Sequence, residues 1–378
     1  MDKVINLLVD CTYIKENSTG IAIYAINLLK EMVKYPQIRI SVLFFEDSPY
    51  NEFEKLVGYK QDFVLIKRTK DMPPVFISHK LDRIRRCVPF EKELRKKRID
   101  RVFTPFLHQV SFIYPLKYGQ IATIHDLQNL KMAKQGGVWR FMKEYFFFRS
   151  HLRRIPNLIT ISRTIQQELS TLFNAKSTLI YNSIPFCEDI KQQSSNNFVK
   201  ARYILDINRF YRYKNAEVLI RAFALIKEKI PHKLYLKGSE KPTEDYCFLK
   251  ELVRDLKLED RVILDVTNYS REEIAYLIAH ADLFVSPSRW EGFGYTPIEA
   301  AVFKIPVIVS NINTLKEVTR GKIPTFNPDS PQELAEKILS ILSNPPSEKE
   351  LSSLSSYYLQ EYSIEKQTKE FVNLLLKT

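Results

Sequence analysis

Residues 281–310 read ADLFVSPSRWEGFGYTPIEAAVFKIPVIVS, and the order of residue types decides how the chain folds there. Leu283–Ser286 is a short apolar run with no polar alternation, which predicts a strand buried on both faces. A loop follows, holding Glu291 and the run Gly292–Phe293–Gly294. Pro297 then suits the first turn of a helix through about Phe303, where its missing N–H costs nothing. Val307–Ser310 restarts an apolar strand. Two glycines let the backbone approach a ligand closely, and the N–H groups of the new helix point at the same place, so the turn predicts a diphosphate cradle. Glu291 in the loop and Glu299 about one turn into the helix would both border such a ligand. The plainer reading is a tight turn with two solvated acids, and a glycine run alone is a weak signal.

The same rhythm extends in both directions. Val4–Asp10, Ile40–Phe45, Phe63–Ile66, Arg101–Thr104, Ile121–Ile124 and Leu158–Ile161 are strand candidates, with a helix-period segment from about Ile21 to Lys34. After position 200 come Tyr203–Ile207, Lys233–Leu236, Val262–Leu264 and the two strands above, separated by helical stretches near 215–229, 245–256, 271–279 and 331–342. Strand–helix alternation favours parallel sheets covered on both faces. Between the series lies CEDIKQQSSNNFVK (187–200), polar and poor in apolar residues, the best linker candidate. The expectation is an α/β protein of two doubly wound, Rossmann-like parallel-sheet domains facing across a cleft. Residues 1–186 form the first, 187–200 the linker and 201–378 the second, the last helix (about 363–378) being free to cross back to the first.

Composition narrows the class. A chain of 378 residues suits two cores better than one. The 45% hydrophobic and 27% charged content is that of a globular protein, and no apolar run approaches the roughly 18–20 residues that span a bilayer. Neither a signal peptide nor Cys/His metal spacing is legible, so a cytoplasmic setting without disulfides or zinc is expected. Residues 1–190 carry 30 Lys and Arg against 19 Asp and Glu, the rest 27 against 25. Nearly all of the +13 charge therefore sits in the first half, which suits an anionic partner.

EGFGYTPIEA (291–300) resembles the signature of the retaining glycosyltransferase family 4, whose members carry E-x7-E in this context. The resemblance continues through Pro306–Ile308, Asn313–Glu317 and Phe326–Pro328. In ILDINRFYRYKNAEVLIRAFALI (204–226), Arg209, Lys214 and Asn215 match the family's cation pair and the residue after it. The first half matches through LLVDCTYIKENSTGIAIYAINLL (7–29) with Gly20 at its helix start, and through QIATIHDL (120–127) with His125 and Asp126 at a strand end. LITISRTIQQEL (158–169) and TLIYNSIP (178–185) extend it. The sequence departs from the family's usual glycines at Asn208, Ser183 and Lys304, and in the loop DVTN (265–268), which bears on the base-binding loop and the donor's identity.

The resemblance implies the GT-B fold and transfer of a sugar from a nucleotide-diphosphate donor with retention of anomeric configuration. It implies that Arg209 and Lys214 neutralise the leaving diphosphate, helped by backbone N–H groups near Gly294, Tyr295 and Thr296, with Gly292 and Phe293 also in the donor-binding turn. Glu291 would hold sugar hydroxyls and Glu299 the ribose, with Asn215 and Gly20 lining the donor and His125 touching its sugar. Asp126 is an acceptor-side candidate. No metal or cofactor is implied, and no Asp-x-Asp stands in the chain.

Two basic segments, 67–101 and VWRFMKEYFFFRSHLRRI (138–155), mix cations with aromatic residues, as surfaces that lie on an anionic leaflet do. The expected acceptor is thus a saccharide or lipid-linked saccharide of cell-surface polysaccharide assembly, met by a protein peripheral to the inner membrane face. Inverting transfer or epimerisation would need a protein base, for which His125 or Asp126 would serve. Two non-catalytic readings compete: an RNA-binding protein, which no nucleic-acid motif supports, and a degenerate homologue kept as a scaffold.

Overall fold

The alternation of apolar runs and amphipathic stretches becomes two parallel sheets in a computed structural model of the chain. It describes residues 4–14, 20–45, 53, 55, 57, 62–66, 91–107, 114, 116–184, 201–238 and 244–377. The predicted linker at 187–200 and residues 67–90 of the first basic segment lie outside these. The chain divides into one unit of Met1–Ser183 with Ile364–Thr378 and another of Ile184–Ser363.

The first unit runs β1 (Ile5–Asp10), α1 (Gly20–Met32), β2 (Ile38–Phe45), β3 (Asp62–Ile66), α2 (Glu91–Lys96), β4 (Arg101–Thr104), β5 (Gln120–Ile124), α3 (Gln128–Gln135), α4 (Val138–Leu152), β6 (Asn157–Thr160), α5 (Arg163–Phe173) and β7 (Thr178–Leu179). Its seven strands stand in the order β3-β2-β1-β4-β5-β6-β7 and pair in parallel. The central strands are buried on both faces: Leu7 and Leu8 are both fully buried, pointing to opposite sides of β1. The C-terminal helix, Ile364–Lys377, belongs to this unit and buries Phe371, Val372 and Leu375 in the core of β1 and α1, with Phe371 against Phe103 at 4.5 Å. Each such fully buried side chain stabilises by about 1.5–3 kcal/mol.

The second unit runs β8 (Tyr203–Ile207), α6 (Ala216–Ile226), β9 (Lys233–Lys237), α7 (Glu244–Asp255), β10 (Val262–Asp265), α8 (Arg271–Ala279), β11 (Leu283–Ser286), α9 (Tyr295–Val302), β12 (Val307–Ser310), α10 (Asn313–Val318), β13 (Thr325–Phe326), α11 (Pro331–Ser343) and α12 (Glu348–Glu361). Six strands stand in the order β10-β9-β8-β11-β12-β13. Ser270 and Ser347 close capping boxes with Glu273 and Glu350, and Ser330 with Pro331 starts α11, which fixes where these helices begin.

Strand order reverses direction between β8 and β11, and in the first unit between β1 and β4. At such a switch point the loops leaving neighbouring strands diverge in opposite directions and open a crevice beyond the carboxyl ends. The loop after β8 carries Arg209 and Lys214; the loop after β11 carries Glu291 and the glycines. Among the described residues no helix is long and apolar enough to cross a membrane.

Candidate functional site

In the second unit the loop after β8 tightens into one 3-10 turn, Arg212–Lys214, and Asn215 follows with φ 60. Asparagine tolerates this left-handed backbone better than most residues. Its buried Nδ2 donates to the carbonyls of Pro287, 3.1 Å, and Pro328, 2.8 Å. Asn215 thus ties the switch-point loop to the loops after β11 and β13. Its amide is occupied by the protein, so its part is to position its neighbours.

That clamp sets Lys214 facing Glu291. Nζ lies 2.7 Å from Oε1, with the side chains only 15% and 12% exposed. Burial opposes the charge on Lys214, but Glu291, Tyr213, the hydrogen bond to Glu291 and Asp206 together outweigh it and raise its pKa. Asp206, at the end of β8, is 2% exposed and accepts 2.5 Å from Asn208 Nδ2. Burial pushes its pKa up to about 7, against the lowering pull of Asn208 and Lys214. Thr314 on α10 holds the Glu291 carbonyl at 3.0 Å, and Tyr213 stacks between Tyr211 and Trp290. Arg209 is exposed and forms no ion pair with a described residue, a cation held ready for solvent or ligand.

The glycine turn behaves as its residues dictate. Gly294 sits at φ 89, and a Cβ there would meet Leu315 Cδ2 at 2.5 Å. No side chain caps α9, so its first turn, Tyr295 and Thr296, presents backbone N–H groups outward from the turn. Phe293 turns inward, 3% exposed, against Tyr295 and Tyr362, so only its backbone is available to a ligand. Gly292 is half-buried, and so is Glu299, whose pKa burial raises to about 7 although Arg271 pulls it down.

In the first unit His125 is 8% exposed, with Nε2 2.9 Å from the Pro105 carbonyl and Tyr24 edge-on at 4.8 Å. A carbonyl only accepts, so Nε2 carries the proton. Burial drives the pKa down to about 4, outweighing that hydrogen bond, and the ring is neutral near pH 7. Asp126 is exposed; its Oδ1 accepts from Gln128 N at 3.0 Å just ahead of α3, and it also lines a cavity with Leu130, Glu144 and Phe148. Gly20 opens α1 with nothing within 4 Å of where a Cβ would stand, so no packing in this unit demands a glycine there.

Residues 18–186 match the family described as Glycosyltransferase Family 4, and residues 188–355 match Glycosyl transferases group 1. The chain belongs to glycosyltransferase family 4. The O-antigen chain mannosyltransferase RfbU of Salmonella typhimurium is 29% identical over 222 residues, which are 57% of this chain and 58% of that one. This chain thus spans less than two thirds of the length of the first curated relatives it matches. Among solved structures, sucrose-phosphate synthase of Thermosynechococcus elongatus superposes with TM-score 0.72 at 19% identity over 99% of both chains. Anabaena HepE in complex with UDP and glucose superposes with TM-score 0.71 at 16% identity, covering 99% of this chain and 100% of that one. These likenesses establish the GT-B fold.

Against the family pattern, four groups of buried or clustered polar residues have no motif to announce them. Asp206 stands inside an apolar strand, where an acid gives no periodic signal. At the ends of β9 and β10, Tyr235 donates to Asp265, Tyr269 lies 3.3 Å from Tyr235, and Lys237 sits 5.2 Å over the Tyr269 ring. This polar cluster borders the loop DVTN (265–268), where the sequence departs from the family's usual glycine. Ser286 and Ser288 are fully buried, and their Oγ atoms lack a hydrogen-bond partner among the described residues. Unpaired buried hydroxyls beside a ligand turn are groups that a ligand can satisfy. In the first unit Asp10 is likewise buried at its switch point, accepting from Tyr114 at 2.8 Å and Thr12 at 2.6 Å.

Proposed function

We propose that this chain moves a sugar from a nucleotide-diphosphate donor to a saccharide or lipid-linked saccharide acceptor, with retention of anomeric configuration, in cell-surface polysaccharide assembly on the cytoplasmic side of the membrane. The observation that carries the reading is the Lys214–Glu291 pair, half-enclosed at the β8/β11 switch point beside the uncapped start of α9. A buried ammonium beside open N–H groups favours a diphosphate, and a carboxylate beside it favours sugar hydroxyls. HepE was solved with UDP and glucose, and RfbU is an O-antigen mannosyltransferase, which supports the donor class and the acceptor class respectively.

The bond between the sugar's anomeric carbon and the diphosphate oxygen breaks. The electron pair leaves on the diphosphate, where Lys214, Arg209 and the first-turn N–H groups of α9 offset it. The acceptor oxygen forms the new bond on the same face, and its proton passes to the departing phosphate. Glu291 orients the sugar and Glu299 binds the ribose. His125, neutral with its Nε2 proton on the Pro105 carbonyl, offers Nδ1 as a hydrogen-bond acceptor without carrying charge. No metal or cofactor takes part in this scheme.

A thermal-shift screen against UDP, GDP, dTDP and their sugar conjugates tests the donor site. One nucleotide raising the melting temperature, with the gain lost in Lys214→Met, is the expected result. The product's anomeric configuration, read by NMR coupling constants, tests retention. Silence from every nucleotide would sink the reading and leave the scaffold role in front.

A further inference from the structure

Helix α4 (Val138–Leu152) is apolar on two faces, and the fold uses only one. At 100° per residue, Phe141, Tyr145, Phe148 and Leu152 fall within about 60° of arc. They pack on the core of β5, β6 and α5, where Tyr145 stacks on Phe173 at 5.0 Å. Val138, Trp139, Met142 and Phe146 fall in a separate arc of about 100°. Their exposures are 76%, 91%, 37% and 57%, so among the described residues this second stripe is mostly left open, with Phe146 meeting Tyr145 edge-on at 5.7 Å. Leaving a tryptophan 91% exposed costs hydrophobic free energy that a folded chain ordinarily recovers.

The rim of the stripe is cationic. Arg153 continues the line of the stripe, Lys143 flanks it about 40° beyond Trp139 and Arg154 lies further round; all three are exposed, as is Lys134 on the preceding helix, while Arg140 is exposed on the far side. The only acid in α4 is Glu144, which is half-buried on another side. Apolar side chains along one arc with a tryptophan among them, and cations around them, are the pattern of a helix that lies in a bilayer interface.

We propose that the exposed stripe of α4 docks on an anionic lipid bilayer, with Trp139 and Phe146 entering the interface and the surrounding arginines and lysines meeting lipid phosphates. Two features favour lipid over a second copy of the chain. The stripe spans 138–146, about 12 Å of helix. With large side chains offering roughly 150–250 Å² each, its exposed area is on the order of 500 Å², short of the ~800 Å² per partner in a standard interface. A dimer axis through α4 would also bring like-charged rims together, whereas anionic lipid neutralises them. The inference is independent of the donor-site reading, because it uses no residue of the second unit.

The full chain is mixed with vesicles of phosphatidylcholine alone or with phosphatidylglycerol, at low and high salt, then sedimented. The expected result is pelleting with the anionic vesicles at low salt, weakened by salt. The chain has only two tryptophans, Trp139 and Trp290, so emission is informative. A blue shift on vesicle addition that disappears in Trp139→Phe, while pelleting persists, places that ring in lipid. Trp139→Ala with Phe146→Ala should cut partitioning at least roughly ten-fold, and Lys143→Gln or Arg153→Gln roughly five-fold each. All four side chains are exposed, so these variants should unfold at the parent temperature. Absence of pelleting, or pelleting indifferent to the Trp139/Phe146 pair, overturns the proposal. So does a concentration-dependent dimer that the same pair abolishes without vesicle binding, since a protein partner would then own the stripe.

Discussion

Replacing Lys214 and Glu291 singly and together tests whether these two residues act as one unit. Their contact of 2.7 Å, at 15% and 12% exposure, is mostly removed from water. Breaking a fully buried pair from one side costs about 3–5 kcal/mol, because the survivor stays charged without a partner. Partial exposure brings Lys214→Met down to about 3 kcal/mol. Glu291→Gln keeps an acceptor, and Asp206 still faces Lys214, so about 2 kcal/mol is expected there. In the double variant neither orphan charge remains, and the cost should be about 2–3 kcal/mol instead of the additive 5. The coupling is therefore about 2–3 kcal/mol, at the upper end of what contacting residues show. Urea unfolding of the four proteins at constant slope measures it. Costs additive within about 0.5 kcal/mol would refute the pair as described. Nucleotide affinity separates the roles. Losing a charge-assisted bond of about 1.5–3 kcal/mol weakens binding of the free nucleotide diphosphate about 10- to 150-fold in Lys214→Met. Glu291→Gln frees Lys214 from its carboxylate and should leave that affinity unchanged or tighter, while weakening the nucleotide sugar.

Lys304 sits at φ 62 just past α9, so Lys304→Gly should raise stability by about 1 kcal/mol, seen as a higher urea midpoint. Gly294→Ala should cost at least about 1–3 kcal/mol from its backbone at φ 89, with the clash on Leu315 added. The Leu315→Ala background should restore only the clash portion, as read by melting temperature. Asp206 has a folded pKa of about 7 against 3.8 for the free group, so the native state holds a proton that the unfolded chain has released. The unfolded state then binds fewer protons between those values, and stability falls as pH rises from about 4 to about 7 and levels off above. Asp206→Asn should remove part of that fall, gaining over the parent at pH 8 and not at pH 4.5; equal slopes in the two proteins would count against the buried acid.

Most strands were readable because a buried parallel strand is a short unbroken apolar run, and Arg101–Thr104, Tyr203–Ile207, Leu283–Ser286 and Val307–Ser310 fall where that pattern puts them. Thr178–Leu179 and Thr325–Phe326 are strands of two residues, too short for any period, and only family resemblance marks their segments. The functional turn was legible because its chemistry needs rare residue types, glycine at φ 89 and proline in a first turn. Meeting of Lys214 with Glu291 was not, since they stand 77 residues apart and the sheet order alone brings them together. The second face of α4 was invisible for a related reason: phenylalanines at 141, 146 and 148 look alike in sequence, and only packing shows that 146 is left outside.

The departures from the family's glycines are of different physical kinds, and the difference bears on function. At Lys304 the backbone keeps the left-handed geometry a glycine would take, and the chain bears the strain just past the end of α9. At Ser183 the residue is buried, with its N–H donating to Gln367 Oε1 at 3.2 Å, so a side chain is accommodated by packing. Asn208 is different again. Its backbone lies outside the left-handed region, its N–H is spent on the Lys237 carbonyl at 3.0 Å, and its amide folds back on Asp206. A glycine there would leave the strand end bare, whereas this chain has put a buried acid and its amide partner beside Lys214. The acid in turn helps keep Lys214 protonated. The change therefore alters the charge setting of the site without removing Arg209, Lys214, Glu291 or Glu299. Across the sheet, Lys237, Tyr235, Asp265 and Tyr269 form a second polar cluster bordering the loop DVTN (265–268). On the proposed function, side chains standing where the family usually has open backbone bear on which nucleotide the site accepts, which is why the donor screen must span several bases.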